Sequence, residues 1–158
     1  MKGNNVMIRT VKLDIRKGEY LSDALRRHGK ENIPTRVILN KVLPGLGATY
    51  CEIMSPRSSI IIEPNVPVIV GKMEKHKNLL GIYRGVKTDE VARHIRKYPG
   101  CCKIMVTPES FWKVKQAMED EGVDMYKDFF MLFDECEKII QDNDFRETIE
   151  APLDDFFL

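Results

Sequence analysis

The sequence lacks the features that would place it in several protein classes at once. No apolar run approaches the roughly 20 residues that a membrane-spanning helix needs, and the opening MKGNNVMIRTVK has no apolar stretch of the secretory kind. The four cysteines form no CxxC pair and only three histidines accompany them, so the spacing of a structural zinc site is missing. These absences favour a soluble, cytoplasmic protein with no membrane segment.

A large excess of charge is also missing. The 25 Lys and Arg residues balance 24 Asp and Glu residues, so no global basic field indicates a nucleic-acid-binding protein. Basic residues do cluster in KMEKHK (72–77) and RHIRK (93–97). We expect these to be solvated helix faces, which could track phosphates only if they prove contiguous. With 43% hydrophobic residues over 158 positions, the chain can form a globular domain with a substantial core.

From residue 35 onward, short apolar runs alternate with helical patterns. Five runs predict strands: TRVILNKVL, SSIIIEP, LLGIYRG, CCKIMVTP and DFFMLFDE. The segments between them predict helices, and we expect Trp112 on the last of these helices to pack in the core rather than to stack on bases. The alternation predicts βαβ units and an α/β fold with a mostly parallel sheet covered on both faces.

The two ends of the chain are less regular. Residues 1–34 predict an N-terminal extension packed on the sheet edge, and residues 35–158 the α/β domain. The tail IEAPLDDFFL finishes on apolar residues that would be costly to expose, so we expect the domain to be truncated at its C-terminal end.

Three features follow predicted strands directly: the glycine turn in LPGLGATY, Thr107-Pro108, and Asp134-Glu135. Ligands of open α/β sheets bind at the carboxyl ends of the strands. A glycine turn that opens a helix directs backbone N–H groups at a phosphate, and an acid after an apolar strand can hold Mg²⁺ through water. A second acid beside it can polarise an attacking water, which is general-base chemistry.

In this order and spacing, the motifs resemble the first RecA-like domain of a superfamily-two helicase or translocase, nearest to its Swi/Snf-type branch. GLGAT matches the phosphate-binding loop (Walker A), DECE matches the DExx box, and IIIEPN and IMVTPES match motifs Ia and Ib. The resemblance covers about residues 35–140. It implies a three-layer RecA-like P-loop NTPase fold, with ATP and Mg²⁺ as cofactors and nucleic acid, DNA or RNA, as partner.

The resemblance also implies roles for individual residues. The nucleotide-binding residues would be Gly45, Leu46, Gly47, Ala48 and Thr49. Thr49 and Asp134 would hold the metal, and Glu135 would be the catalytic base beside Asp134. The residues in contact with the nucleic-acid backbone would be Asn65, Thr107 and Ser110.

The sequence departs from the family pattern at important places. Ala48 occupies the position at which the loop lysine of the family neutralises the phosphates. Three origins of this alanine are open: natural decay of the site, a natural variant loop, or deliberate replacement of the lysine. No Ser-Ala-Thr motif appears, and the second RecA-like domain with its arginine finger would have to act in cis or in trans. We therefore expect an N-terminal motor domain of a nucleic-acid translocase that is inactive alone.

Two other interpretations stay open. The first is a non-catalytic RecA-like module that binds nucleic acid or protein and has lost ATP hydrolysis. Ala48 favours it, whereas retention of both Asp134 and Glu135 does not. The second is a small flavodoxin-like or Rossmann-like enzyme, which is disfavoured because no GxGxxG opens the first helix.

Overall fold

The computed structural model describes residues 9–41 and 44–135 of the chain. Two compact units are present, residues 1–51 and residues 52–158. The division predicted after residue 34, and the packing of residues 1–34 on the sheet edge, stay predictions.

The first unit contains helix α1 (Leu21–Arg27), and helix α2 (Ala48–Ile53) spans the boundary between the units. In α1, Leu21, Ala24 and Leu25 are buried, at the i, i+3, i+4 spacing of one helix face. The backbone N–H of Tyr20 donates to the Asp23 carboxylate at 3.1 Å. This bond satisfies one of the donors that a helix start leaves without a partner.

Residues 35–41 do not form the strand that the sequence predicts. In this described segment Ile38 is 96% exposed and Val37 is 51% exposed, and neither residue belongs to a strand. β-branched residues favour a strand only where the segment can pair with a neighbouring strand and pack one face against the core. The prediction of a strand over this segment is therefore wrong, while residues 42–43 lie outside the described residues.

The second unit is built on a parallel sheet. The described residues form four strands: β1 (Ser59–Ile62), β2 (Leu79–Ile82), β3 (Lys103–Val106) and β4 (Phe130–Phe133). Their spatial order is β2-β3-β1-β4, and all three neighbouring pairs are parallel. This confirms the α/β class and four of the five predicted strands.

Helices cover both faces of this sheet. They are α3 (Val66–Lys75), α4 (Thr88–Lys97), α5 (Phe111–Asp120, after a 3₁₀ turn) and the short α6 (Met125–Asp128). Strand residues of one parity, such as Ile60 and Ile104, share a buried cluster with α4 and α5. Those of the other parity, such as Ile61 and Met105, pack with Ile69 of α3. The arrangement is consistent with a three-layer RecA-like fold.

Gly81 in β2 lies where α3 approaches the sheet most closely. A Cβ atom at this position would collide with the side chains of Ile69 and Met73, both on α3. Glycine is therefore required for the helix to pack at this distance. None of the described helices has both the length and the apolar character that a membrane crossing requires.

A buried polar network lies at the amino end of the sheet. Lys103 is fully buried, and its Nζ donates to the Glu52 carbonyl and the Ser55 hydroxyl at 2.8 Å and to the Ser59 hydroxyl at 3.0 Å. The buried Glu52 carboxylate accepts two bonds from Arg57, at 2.9 and 2.7 Å. We call these five residues the amino-end network.

Candidate functional site

Polar residues occupy the carboxyl ends of three neighbouring strands. Glu63, Thr107 and Asp134 directly follow β1, β3 and β4. Their backbone N–H groups continue the hydrogen bonding between the strands. Glu63 donates to the Val106 carbonyl at 3.0 Å, Thr107 to the Ile82 carbonyl at 3.0 Å, and Asp134 to the Ile62 carbonyl at 2.9 Å. The three residues therefore lie side by side at the carboxyl end of the sheet, which is where parallel sheets bind ligands.

Asn65 connects Glu63 with Glu135, the last residue that the structure describes. Its side-chain amide donates to Glu63 Oε1 at 2.8 Å and to Glu135 Oε2 at 3.2 Å. Its backbone N–H also donates to Glu63 Oε1, at 2.8 Å. We call Glu63, Asn65, Thr107, Asp134 and Glu135 the carboxyl-end cluster.

Glu63 is the member of this cluster that sequence reasoning missed. It is 2% exposed, and burial raises the pKa of its carboxyl group, with the charges of Asp134 and Glu135 adding to the rise. The two hydrogen bonds from Asn65 act in the opposite direction. The signal was available, because Glu63 ends the apolar run SSIII in the way that Asp134 ends FFMLF.

The turn at Asp134-Glu135 has an uncommon backbone conformation, and Glu135 is exposed. Glu135 has a φ of 53°, a left-handed conformation that is uncommon for a residue other than glycine. Its backbone N–H donates to Asp134 Oδ1 at 3.1 Å. Such strained conformations persist where surrounding structure fixes them, and they concentrate at functional sites. The structure thus places both predicted catalytic acids at the carboxyl edge of the sheet.

The residues predicted to contact nucleic acid do not lie freely at the surface. Thr107 is fully buried and Ser110 is 3% exposed. Among the described residues, the Thr107 hydroxyl has no hydrogen-bond partner. The amide of Asn65 is half-buried and held by two carboxylates. Contact of these three residues with a nucleic-acid backbone stays a prediction, and for the two hydroxyls it requires movement of residues 107–110.

The predicted phosphate-binding residues form a turn in the first unit. Gly45 and Gly47 have φ values of +77° and +75°, which favour glycine, and α2 follows at Ala48. The Leu46 carbonyl accepts the backbone N–H of Leu21 at 2.9 Å. The turn is therefore fixed to the start of α1.

Ala48 is 6% exposed, so a lysine in its place would begin its path inside the protein. Thr49 is half-buried at the second position of a six-residue helix. The glycine turn belongs to the first unit and Asp134-Glu135 to the second, and their meeting in one cleft stays a prediction.

The described residues offer few ligands for a magnesium ion. No cluster of three or more His, Cys, Asp or Glu side chains within residues 9–41 and 44–135 is placed to hold a metal. Magnesium is usually bound by one or two carboxylates and the phosphates of its nucleotide. Asp134 fits such a site only together with a nucleotide, and the metal roles of Asp134 and Thr49 stay predictions.

Two further sequence expectations can be compared with the structure. Trp112 is 60% exposed, so the prediction that it packs in the core is wrong. The basic segments 72–77 and 93–97 lie largely on α3 and α4, helices that cover opposite faces of the sheet. The contiguity on which a phosphate track would depend stays a prediction.

Comparison of the sequence with protein-family models, with curated proteins and with solved structures gives no match. The fold class therefore rests on the strands, helices and register of the second unit, and any functional conclusion rests on the residues themselves.

Proposed function

We propose that the chain is the N-terminal motor domain of a helicase-like, NTP-dependent nucleic-acid translocase. The observation that carries this proposal is the Asp134-Glu135 pair, which directly follows the parallel strand β4 at the end of the sheet where β1 and β3 are also followed by polar residues. An acid pair in this position suits a magnesium–nucleotide complex and an attacking water. In this proposal the ATP phosphates bind at Gly45–Thr49.

Each acid has a distinct role in the proposal. Asp134 holds Mg²⁺ through water, and Glu135 polarises the water that attacks the γ-phosphate. In the structure Glu135 bonds to the Asn65 amide, which orients the carboxylate. A second RecA-like domain, in cis or in trans, supplies the positive charge that stabilises the transition state, so this chain alone hydrolyses ATP poorly.

A second candidate is a RecA-like module that binds nucleic acid or protein without catalysis. Two observations favour it. Ala48 is buried and carries no charge for the phosphates. The Glu135 carboxylate is engaged by Asn65 at 3.2 Å, so a catalytic base would first have to exchange this bond.

Titration of a fluorescent ATP analogue with Mg²⁺ separates the two candidates. The 158-residue chain is compared with Ala48→Lys, with Asp134→Asn and with Asp128→Asn, the last being a control at an exposed carboxylate of the same unit. Thermal unfolding of Ala48→Lys establishes that the variant is folded before its binding is interpreted, because position 48 is buried.

The motor proposal predicts binding by the wild type or by Ala48→Lys, weakened by Asp134→Asn and unaffected by Asp128→Asn. Absence of binding by both the wild type and a folded Ala48→Lys variant contradicts the nucleotide part of the proposal. A nucleic-acid mobility-shift assay on the same samples then tests the non-catalytic module.

A further inference from the structure

A depression in the first unit lies directly against the glycine turn. Its volume is about 530 Å³, and it is broadly open to solvent. Two segments line it, residues 15–20 and residues 44–46. The second segment contains Gly45 and Leu46, which belong to the proposed phosphate-binding turn.

The first of these segments is itself a closed turn. The backbone N–H of Glu19 donates to the Arg16 carbonyl at 3.0 Å, and the backbone N–H of Arg16 donates to Glu19 Oε2 at 2.8 Å. Gly18 has a φ of +80°, which this turn requires. The turn therefore holds Arg16 and Lys17 at the depression that Gly45 also lines.

Positive charge predominates around the depression. Arg16 and Lys17 are both exposed and line it, and among the described lining residues Glu19 supplies the one carboxylate. That carboxylate is already paired with Arg27, through bonds of 3.1 and 3.0 Å. Hydrogen bonds from Arg27 and from the Arg16 backbone lower the pKa of Glu19 to about 2. The Glu19 carboxylate is thus paired with Arg27, and the Arg16 and Lys17 side chains give the described lining an excess of positive charge.

We propose that this depression binds the phosphate chain of a nucleotide, and that Arg16 and Lys17 supply the positive charge that Ala48 cannot. The inference rests on the proposed function, because it assigns a cation to the same phosphate site. An arginine guanidinium offers paired donors that match phosphate oxygens, and a nearby lysine adds a point charge. The loop lysine of the family would then be replaced by residues about 30 positions earlier in the sequence.

The test is a titration of the fluorescent ATP analogue into the full chain and the double variant Arg16→Ala/Lys17→Ala. Lys12→Ala is the matched control, since Lys12 is exposed in the same unit and does not line the depression. Competition by inorganic tripolyphosphate, by adenosine and by a short oligonucleotide identifies the recognised chemistry. A triple variant that adds Ala48→Lys to these two substitutions tests whether a loop lysine restores the affinity for the ATP analogue that Arg16 and Lys17 provide.

Loss of a charge-assisted contact predicts binding about tenfold weaker in the double variant. Lys12→Ala should not change it, tripolyphosphate should compete and adenosine should not, and the triple variant should recover affinity. Wild-type binding that the double variant retains overturns this inference and leaves the proposed function intact. Absence of wild-type binding overturns the nucleotide proposal and this inference together. Competition by the oligonucleotide but not by tripolyphosphate assigns the depression to nucleic acid and also overturns the inference.

Discussion

The two ends of the sheet in the second unit organise buried polar groups in opposite ways. At the amino end, the Lys103 ammonium and the Glu52 carboxylate have opposite charges, and both are fully hydrogen-bonded by close neighbours. At the carboxyl end, the buried Glu63 lies near the half-buried Asp134 and the exposed Glu135, and the Asn65 amide bridges Glu63 and Glu135. Buried ion networks with every partner in place fix a structure, whereas like charges held together raise its energy.

This difference indicates that the amino end stabilises the fold and that the carboxyl end is the better candidate for a ligand site. The amino-end network attaches the end of α2 and the following loop to the starts of β1 and β3. The carboxyl-end cluster gathers negative charge and a buried hydroxyl of Thr107 that lacks a partner among the described residues. Groups arranged at a cost to stability are typical of sites that a ligand completes.

The largest expected effect is at the amino end. Replacement of Lys103 by methionine removes three donor bonds and leaves Glu52 buried with only part of its compensation. Breaking a buried charged network in this way costs about 3 kcal/mol of unfolding free energy. Urea unfolding of Lys103→Met, with Lys77→Met as the exposed control, measures it. A loss no greater than that of the control would mean that the network does not stabilise the fold.

A smaller effect of opposite sign is expected at the carboxyl end. Burial and two neighbouring carboxylates raise the pKa of Glu63 above its ordinary value of 4.5, so its ionised form destabilises the folded state. Glu63→Gln keeps an oxygen that can accept both Asn65 bonds and removes the charge. We expect Glu63→Gln to be more stable than the wild type at pH 7.

The pH dependence gives this prediction its sign. A carboxyl group whose pKa is raised on folding favours the folded state only while it is protonated. The stability of the wild type should therefore fall, relative to Glu63→Gln, as pH rises from about 4.5 through the raised pKa. Urea unfolding across this range, with Glu109→Gln as an exposed control, tests it. A variant that is less stable than wild type at pH 7 would contradict the proposed cost of the charge.

The smallest effect is expected at Thr107, whose buried hydroxyl group is compared with that of Ser59. The Ser59 hydroxyl belongs to the amino-end network, and Ser59→Ala should cost about 1 to 2 kcal/mol because partners lose their bonds. Thr107→Val keeps the shape of a side chain whose hydroxyl has no described partner, so it should be neutral or slightly stabilising. Thermal unfolding of both variants compares them. Equal losses of stability in Ser59→Ala and Thr107→Val would contradict the proposed difference between the two ends of the sheet.

The sequence predicted the second unit well for a physical reason. Strands β1 to β4 are short apolar runs, buried almost throughout in β1, β2 and β3 and half-buried in β4, and such runs carry a strong signal. The failure at residues 35–41 shows the limit of that signal. Val37 and Ile38 have the right side chains for a strand, but β propensity needs a pairing partner, which local sequence does not report.

The candidate site was predicted in part. Asp134 and Glu135 stand out because acids interrupt an apolar pattern, and Glu63 and Lys103 interrupt such patterns in the same way without having been recognised. Trp112 was misplaced because its neighbour Phe111 takes the core position, and one residue along a helix turns the side chain by about 100°. The cation pair at Arg16 and Lys17 was invisible, since only the fold brings residues 15–20 against Gly45.

We propose that ligand binding occurs at the carboxyl end of the sheet and at the glycine turn, not at the amino end. Hydrogen–deuterium exchange of the full chain, with and without Mg²⁺ and a slowly hydrolysed ATP analogue at saturating concentration, tests it most directly. The account predicts slower exchange in peptides that cover residues 44–50, 63–69 and 130–135, with no change over residues 54–60 and 101–105. Slower exchange confined to the amino end, or no change anywhere, would contradict it.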